Sequence, residues 1–497
     1  MAQYNNQTRS LRDQNTSNYE VYMQADKFGR VADWRPDFTS KNRLKMSQPQ
    51  TMFFNTFGTE VDDDTWSTVL TGTGVDYLNN NAVEEGLVTD PADYDPNDDD
   101  GASITEKAVV MRVSAAGDKV VRQTNRVIPY IPGKEQFLTV ALRFDTPTTG
   151  IRRRVGLFDM QNGAYFEDTG VERNGEPTSY DLVVRKNGEE TQRVKRADWN
   201  GDKLDGTGRS GIVADSLKQQ LVGIEYEWYG TGMVRFGYVI DNELHVIHTL
   251  YNANKTVGTW ARSPFLPVRL EIEALNGQTE EQYNSTNNTL ENVTLPTYAG
   301  GPAYFYQSSS SVIAEGGIEE LGTVYNFQSG LSINSGVGGT VPDDTVAIEY
   351  TTGNVEETHF KPILSLKLKQ KNLDAVAIPI GIQIASPADV VIAYHLVKNA
   401  QLTGALFDLT GVDHSAVVCD EAATEAIYDP SQIIFSGLAI RGSDYIEIPT
   451  NAQTQLGRIP NTDFDNLESD IITICASISS SAANKRVIAS LTWIEQP

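Results

Sequence analysis

Residues 198–274 carry the stretch that decides the fold. It reads D-W-N-G-D-K-L-D-G-T-G-R-S-G-I over 198–212, V-G-I-E-Y-E-W-Y-G-T-G-M-V-R-F-G-Y-V-I-D-N-E-L-H-V-I-H over 222–248, and L-P-V-R-L-E-I-E-A over 266–274. A loop rich in Gly and Asp comes first, with Gly201, Gly206, Gly208 and Gly211. Alternation follows. Ile224, Tyr226 and Trp228 fall on one side of an extended chain, Glu225 and Glu227 on the other. Val234, Phe236, Tyr238 and Ile240 alternate with Arg235, Gly237 and Val239, and Val268, Leu270 and Ile272 with Arg269, Glu271 and Glu273. A side-chain period of two with one apolar face marks a half-buried antiparallel strand. Asp241 and Asn242 stand where a two-residue hairpin turn belongs. The stretch predicts a β-meander that forms one sheet of a sandwich.

The same pattern extends outward. Upstream, 137–145 reads as a strand, V-G-L-F-D-M-Q-N-G-A-Y-F-E as a hairpin turning at Gln161-Asn162-Gly163, and Asn187-Gly188 as another turn. Shorter strand-like pieces occupy 51–57, 66–71, 108–113 and 119–123. Downstream, 276–310 is poor in apolar residues and reads as a linker, with a domain boundary near Gly300. Strand-sized runs then recur at 363–368, 375–385, 390–397, 405–409, 433–440, 471–478 and 487–493, broken by Gly, Asn, Asp and Pro. Helical periodicity is absent. The predicted fold class is all-β, two antiparallel β-sandwich domains preceded by an extended arm: arm 1–45, first sandwich 46–305, second sandwich 306–497.

Length supports two or three cores, since 497 residues exceed one ordinary domain. No apolar run approaches the ~20 residues of a membrane span, and M-A-Q-Y-N-N-Q-T lacks the basic-then-apolar pattern of a secretory signal. A net charge of −26 opposes nucleic-acid binding, which depends on neutralising phosphates. Two cysteines, Cys419 and Cys475, sit in apolar strand-like surroundings and read as buried free thiols.

Each motif with chemical potential has a plainer reading. Gly201 and Gly206 have the gap of a phosphate-binding loop, but Thr207-Gly208 follows in place of Lys-Thr and no helix comes after. Asp198, Asn200, Asp202 and Asp205 have oxygens for calcium, yet Asp and Asn in a Gly-rich connection more often cap turns. The acidic loop 84–100, ending D-P-N-D-D-D, lacks the calcium-hand spacing and reads as a solvated loop. His245 and His248 are expected on opposite faces of a strand, unable to chelate one metal. His359, His395 and His414 are scattered. No nucleophile elbow is visible, and among 66 acids no carboxylate pair stands out. Trp199, Trp228, Trp260, Tyr226, Tyr229 and Tyr251 suit a core better than a sugar-stacking face. The reading assigns no catalytic residues, metal ligands or cofactor; calcium is the one ion the acidic segments would suit.

Residues 1–45 differ in kind. Eight Arg and Lys occur there, on an otherwise acidic chain, interspersed with aromatics. Two readings stand side by side: an unstructured terminus, or an arm that would lie on a partner, for which Tyr19, Tyr22, Phe28, Arg30, Trp34, Arg35 and Phe38 are the candidate docking residues.

Several segments resemble virion structural proteins of tailed bacteriophages, such as those of large marine and cyanobacterial phages. They are R-V-G-L-F-D-M-Q-N-G-A-Y-F-E (154–167), W-N-G-D-K-L-D-G-T-G (199–208), the 227–241 run and S-P-F-L-P-V-R-L-E-I-E (263–273), with K-V-V-R-Q-T-N-R (119–126) and P-I-L-S-L-K-L-K (362–369). The resemblance covers roughly residues 46–400. It implies a non-enzymatic particle component with a lectin-like (concanavalin-like) β-sandwich and offers no active-site residues to transfer. The expected role is a structural subunit of the virion, associated with tail, baseplate or fibre. Capsid-surface decoration and host-glycan adsorption are the alternatives. Expected partners are other virion proteins and copies of itself, with host surface glycans a further possibility, and neither nucleic acid nor membrane.

Overall fold

The computed structural model describes residues 10–12, 18–20, 50–56, 65–78, 108–170, 180–241, 243–315, 322–333, 360–386, 391–407, 414–440, 444–448, 455–460, 463–464, 467–479 and 485–496. The only helical pieces among them are short 3-10 turns, at Arg196–Asp198, Gln370–Asn372 and Pro430–Gln432. All the rest is antiparallel strand and loop, as the period-two alternation requires.

Two sheets build the first sandwich. A seven-stranded sheet runs, in spatial order, Glu189–Val194, Tyr180–Lys186, Gly163–Asp168, Ile151–Phe158, Val268–Ala274, Lys119–Thr124 and Trp66–Thr71. An eight-stranded sheet runs Glu243–Leu250, Val234–Ile240, Gln220–Tyr226, Glu135–Arg143, Ala303–Glu315, Val109–Val113 and Val75–Leu78, with Gln50–Thr56 also paired to Ala303–Glu315. Their facing residues interdigitate. Phe166 meets Phe236 edge-on at 5.3 Å and Phe144 lies against Tyr180 at 4.8 Å. Such aromatic rings are the largest apolar contributions to a core, each worth about 3–5 kcal/mol against truncation to Ala.

The turns follow the sequence closely. Asn187 and Gly188 take φ of 52° and 83°, and Asp241 takes 53°, the left-handed backbone that a two-residue hairpin with the right twist needs. Asp159 N–H donates to the Asn162 carbonyl at 2.8 Å and closes the Gln161-Asn162-Gly163 turn.

Three expectations are corrected. The meander is only three strands long: Val268–Ala274 crosses to the opposite sheet, between Ile151–Phe158 and Lys119–Thr124. Its charged face pairs there with arginines, which period alone does not reveal. The stretch 276–310 is not a linker. It forms the hairpin Thr279–Asn284 and Thr289–Thr294, and then Ala303–Glu315, an interior strand of the eight-stranded sheet. The first sandwich therefore runs to Glu315, where 305 was expected. No strand forms at 405–407: Leu406 is 61% exposed and its N–H donates to the Asp420 carboxylate at 2.6 Å, which holds this segment as a turn.

The second sandwich packs a four-stranded sheet against a five-stranded one. The former runs Thr323–Ile333, Lys485–Gln496, Val376–Ala385 and Asp444–Glu447. The latter runs Val417–Asp420, Lys361–Leu368, Ile471–Ser479, Val391–Lys398 and Ile433–Ile440. Leu364, Leu366, Ile382, Leu396, Ile474, Leu491 and Trp493 fill the space between. Cys419 and Cys475 are buried and unbridged, and burial pushes the Cys419 thiol up to about 12.

The sandwiches are fastened together. Arg458 N–H donates to the Asn125 carbonyl at 2.6 Å and its guanidinium meets Asp159 at 3.3 Å. Phe464 lies 5.0 Å from the Arg269 guanidinium of the first sandwich. Val376 is buried in the first sandwich's core cluster. Arg458→Ala removes a buried cation from this junction and is expected to cost about 1–3 kcal/mol. Calorimetry of the full chain should show a lowered transition, and an unchanged melting profile would contradict the fastening.

Candidate functional site

Alternation that buries one face of a strand must place the other residues somewhere. In the seven-stranded sheet, Val155, Leu157, Phe166, Leu182, Val184, Leu270 and Ile272 point into the sandwich core. Across the sheet, register aligns the opposite set. Glu167 faces Arg154 and Asp181, Arg154 faces Glu271, Arg152 faces Glu273, Val183 faces Arg193, and Arg269 faces Gln123. Opposite charges on neighbouring strands are thus side by side.

The charges pair almost without remainder. Arg154 holds Glu167 at 2.7 Å and Glu271 at 3.3 Å. Arg193 holds Glu167 at 2.7 Å, Asp181 at 2.8 Å and Glu190 at 2.5 Å. Arg269 reaches Glu271 at 2.5 Å and the Gln123 amide oxygen at 2.9 Å. Arg152 clasps Glu273 at 2.7 Å and Glu280 at 2.5 Å. Rings pad the network: Arg154 and Arg185 each lie 5.5 Å from Tyr165, and Arg269 lies 5.6 Å from Phe158. Gly156 makes room for this padding, since a Cβ there would come within 2.7 Å of the Tyr165 Cα.

Water has little access. Arg154, Arg193, Glu167 and Glu271 are no more than 5% exposed. At one end the Thr279–Thr294 hairpin closes over the layer, through Arg152–Glu280 and a Tyr283 N–H to Glu190 bond of 3.2 Å. At the other end lie Phe464 and Arg458 of the second sandwich. Between hairpin and sheet remains a cavity of about 290 Å³, lined by Arg154, Arg185, Glu190, Glu280, Glu281 and Leu290 among others.

Burial alone would raise these carboxyl pKa values, and the arginines overturn it. Arg193, Arg154 and Arg152 hold Glu167 far below the usual carboxylate range. Arg269, Lys119 and Arg154 do the same for Glu271. Glu273 and Glu280 are lowered too, against their burial, chiefly by Arg152. Four ionised acceptors result, none of them poised to donate a proton at neutral pH.

Arginines at 152–154 split between faces. Arg153 points inward, to Asp168 at 2.8 Å and to the carbonyls of Tyr304 and Thr146. The sequence reading missed this layer. Its signal was present in R-x-E-x-E at 269–273, whose outward positions alternate with buried apolar ones, and in the outward arginines at 152 and 154.

The Gly/Asp-rich loop follows turn chemistry. Asp202 accepts backbone N–H bonds from Leu204 at 2.9 Å and Ser210 at 2.7 Å, and Asp205 from Thr207 at 2.8 Å. Asn200 joins the sheet edge, exchanging bonds of 2.8 and 2.9 Å with the Thr249 backbone. The histidine expectation is corrected. A bulge between Phe236 and Gly237 sets His248 opposite Phe236 and His245 opposite Tyr238, so register puts both on one face. His248 accepts the Asn200 N–H at 3.0 Å and burial lowers its pKa to about 4. It is a neutral structural acceptor. Among the described residues no group of three or more His, Cys, Asp or Glu is placed to hold a metal.

The aromatic cluster is largely core. Tyr226, Trp199 and Trp260 are buried, with Tyr226 stacked on Tyr130 at 6.1 Å, while Tyr229 and Tyr251 are each 56% exposed. Of the docking candidates, Tyr19 lies in a small hairpin, opposite Leu11. Tyr22, Phe28, Arg30, Trp34, Arg35, Phe38 and the 84–100 loop lie outside the described residues. Among the described residues no helix is long and apolar enough to cross a membrane.

No protein-family model and no curated protein matches the chain. Solved structures are similar at a distance. A β-1,3-glucanase from Mycobacterium marinum aligns at 14% identity over 53% of this chain and 98% of its own, with TM-score 0.28. An endo-acting O-glycanase of the human gut microbiota aligns at 12% over 53% and 99%, with TM-score 0.31. A legume lectin-like domain from Entamoeba histolytica aligns at 8% over 41% and 82%, with TM-score 0.23. At these values the similarity carries no functional argument.

The ion-pair layer has a pH signature. Its glutamates bind protons less readily when folded than at the ordinary value of 4.5. Unfolding below that pH therefore takes up protons, so the layer's contribution is complete above about pH 4.5 and is lost as pH falls through the folded values. Arg193→Met takes away the cation shared by Glu167, Asp181 and Glu190. Its cost is expected near 3–5 kcal/mol at pH 7 and clearly less at pH 3, where Glu167, no longer held ionised by Arg193, can take up a proton in the folded variant. Urea unfolding at both pH values measures this, and an equal loss at the two would contradict it.

Proposed function

We propose that this chain is a non-enzymatic structural component of a tailed-phage virion, associated with tail, baseplate or fibre. The observation that carries the reading is the charged layer of the seven-stranded sheet. Its arginines and carboxylates are occupied by one another, and the chain's own hairpin and second sandwich lie over them. A glycosidase-type mechanism needs one carboxyl kept protonated by its surroundings beside one kept ionised. In this layer Glu167, Glu271, Glu273 and Glu280 are all pushed toward the ionised form, while Asp168, which burial pushes the other way, sits on the opposite face of the sheet in an ion pair with Arg153. Charges used in this manner stiffen a scaffold. The sequence resemblance at 154–167, 199–208, 227–241 and 263–273 supports the virion assignment, and the basic, aromatic arm at 1–45 supplies a means of attachment.

In this reading the two fastened sandwiches act as one rigid body and the arm docks on neighbouring virion proteins or on other copies. The chain should appear as an ordered, multi-copy component when purified particles are imaged by cryo-electron microscopy. Its position distinguishes a tail or baseplate role from capsid decoration. Deleting residues 1–45 should reduce incorporation into particles by at least about tenfold, the loss of roughly 1.4 kcal/mol or more of docking energy. Unchanged incorporation contradicts the docking role, and absence of the chain from purified particles contradicts the virion reading.

A second reading, host-glycan adsorption, rests on exposed Tyr229 and Tyr251, the rings of the central cluster that a sugar could reach. A glycan array without binding removes it.

A further inference from the structure

A sheet edge presents unpaired N–H and C=O groups, and proteins close or blunt such edges. This chain does so repeatedly. Glu189–Val194 lies beneath the hairpin, tied by Tyr283 to Glu190. Glu243–Leu250 is closed by the Gly-rich loop, with Gly201 N–H on the Ile247 carbonyl at 2.9 Å and Asp202 N–H on Val246 at 3.1 Å. Val75–Leu78, Val417–Asp420 and Asp444–Glu447 are four residues each, and Ile433–Ile440 is broken by a bulge.

Thr323–Ile333 departs from this practice. It is eleven residues long and pairs with Lys485–Gln496 in one unbroken register. Its sequence, T-V-Y-N-F-Q-S-G-L-S-I, holds no charge and no proline. Among the described residues no strand pairs with its other side. Tyr325 and Phe327 pack onto the second sandwich's core, while Val324 is 58% exposed and Asn326 and Gln328 are exposed beside it.

We propose that this edge is the contact by which two copies of the chain associate, strand against identical strand, antiparallel about a two-fold axis. The chemistry selects the occupant. An open backbone edge is satisfied by another extended strand. Copies carrying −26 each repel one another over most of their surface, and this strand brings no charge to the approach. Two-fold antiparallel pairing is self-complementary and keeps odd-numbered residues opposite odd-numbered ones. Tyr325 and Phe327 then face the core in both copies, and the two four-stranded sheets become one continuous sheet. The proposal does not depend on which particle, if any, holds the chain.

Light scattering of the full chain over a range of concentrations, with amide hydrogen exchange of the same samples, tests it. The expected result is a concentration-dependent dimer in which exchange of residues 323–333 slows by at least about tenfold as dimer forms. Asn326→Lys with Gln328→Lys, which sets like charges across the axis, should return the mass to that of a monomer. A monomer at every concentration overturns the proposal, whether the edge is covered by the chain itself or by another protein. So does a dimer in which exchange at 323–333 is unchanged.

Discussion

Every residue of the strand Ile151–Phe158 is buried, on both of its faces. Half of that burial is ordinary, since Val155 and Leu157 enter an apolar core. The other half is a constraint, because Arg152 and Arg154 leave water while still charged. A buried charge is tolerated only when paired and hydrogen-bonded, so the neighbouring strands must supply carboxylates at the same level. Glu167, Glu271 and Glu273 do so from either side. The strand order of the seven-stranded sheet and its register are tied to this requirement, since a one-residue slip would turn Arg152 and Arg154 into the apolar core.

The same constraint explains what covers the layer. The Thr279–Asn284 strand contributes Glu280 to Arg152, and the second sandwich brings Phe464 over Arg269. The chain's two sandwiches and its hairpin are therefore parts of one arrangement around a dry charged face. Buried ion pairs stabilise little compared with well-packed apolar residues, but removing one partner is costly. They suit a part that must keep one shape, which is the property that the proposed structural role asks for.

Much of the architecture was legible in the sequence. Alternation located Gln220–Tyr226, Val234–Ile240 and Val268–Ala274, and a need for left-handed backbone marked the turns at Asp241, after Val234–Ile240, and at Asn187-Gly188, after Tyr180–Lys186. The sheet to which each strand belongs was not legible, because period two gives a strand two faces and no address. Val268–Ala274 looked like the fourth strand of a meander until its Arg269, Glu271 and Glu273 found partners across the molecule. Polar composition hid Ala303–Glu315, whose Gln307 and Ser310 are buried despite their chemistry. The bulge opposite Phe236 carried no local signature and reversed the histidine expectation. Of the site, only the turn role of Asp202 and Asp205 was read in advance. The ion-pair layer needed distances between strands far apart in sequence.

The most direct measurement is the carboxyl titration of Glu167 and Glu271 by carbon-detected nuclear magnetic resonance. If the face is a self-satisfied ionic layer, both side chains stay ionised from neutral pH down past the ordinary glutamate value of 4.5. Titration of either one above that value would mean a carboxyl held protonated among the arginines. That result would contradict the account and turn the layer into a candidate acid–base site.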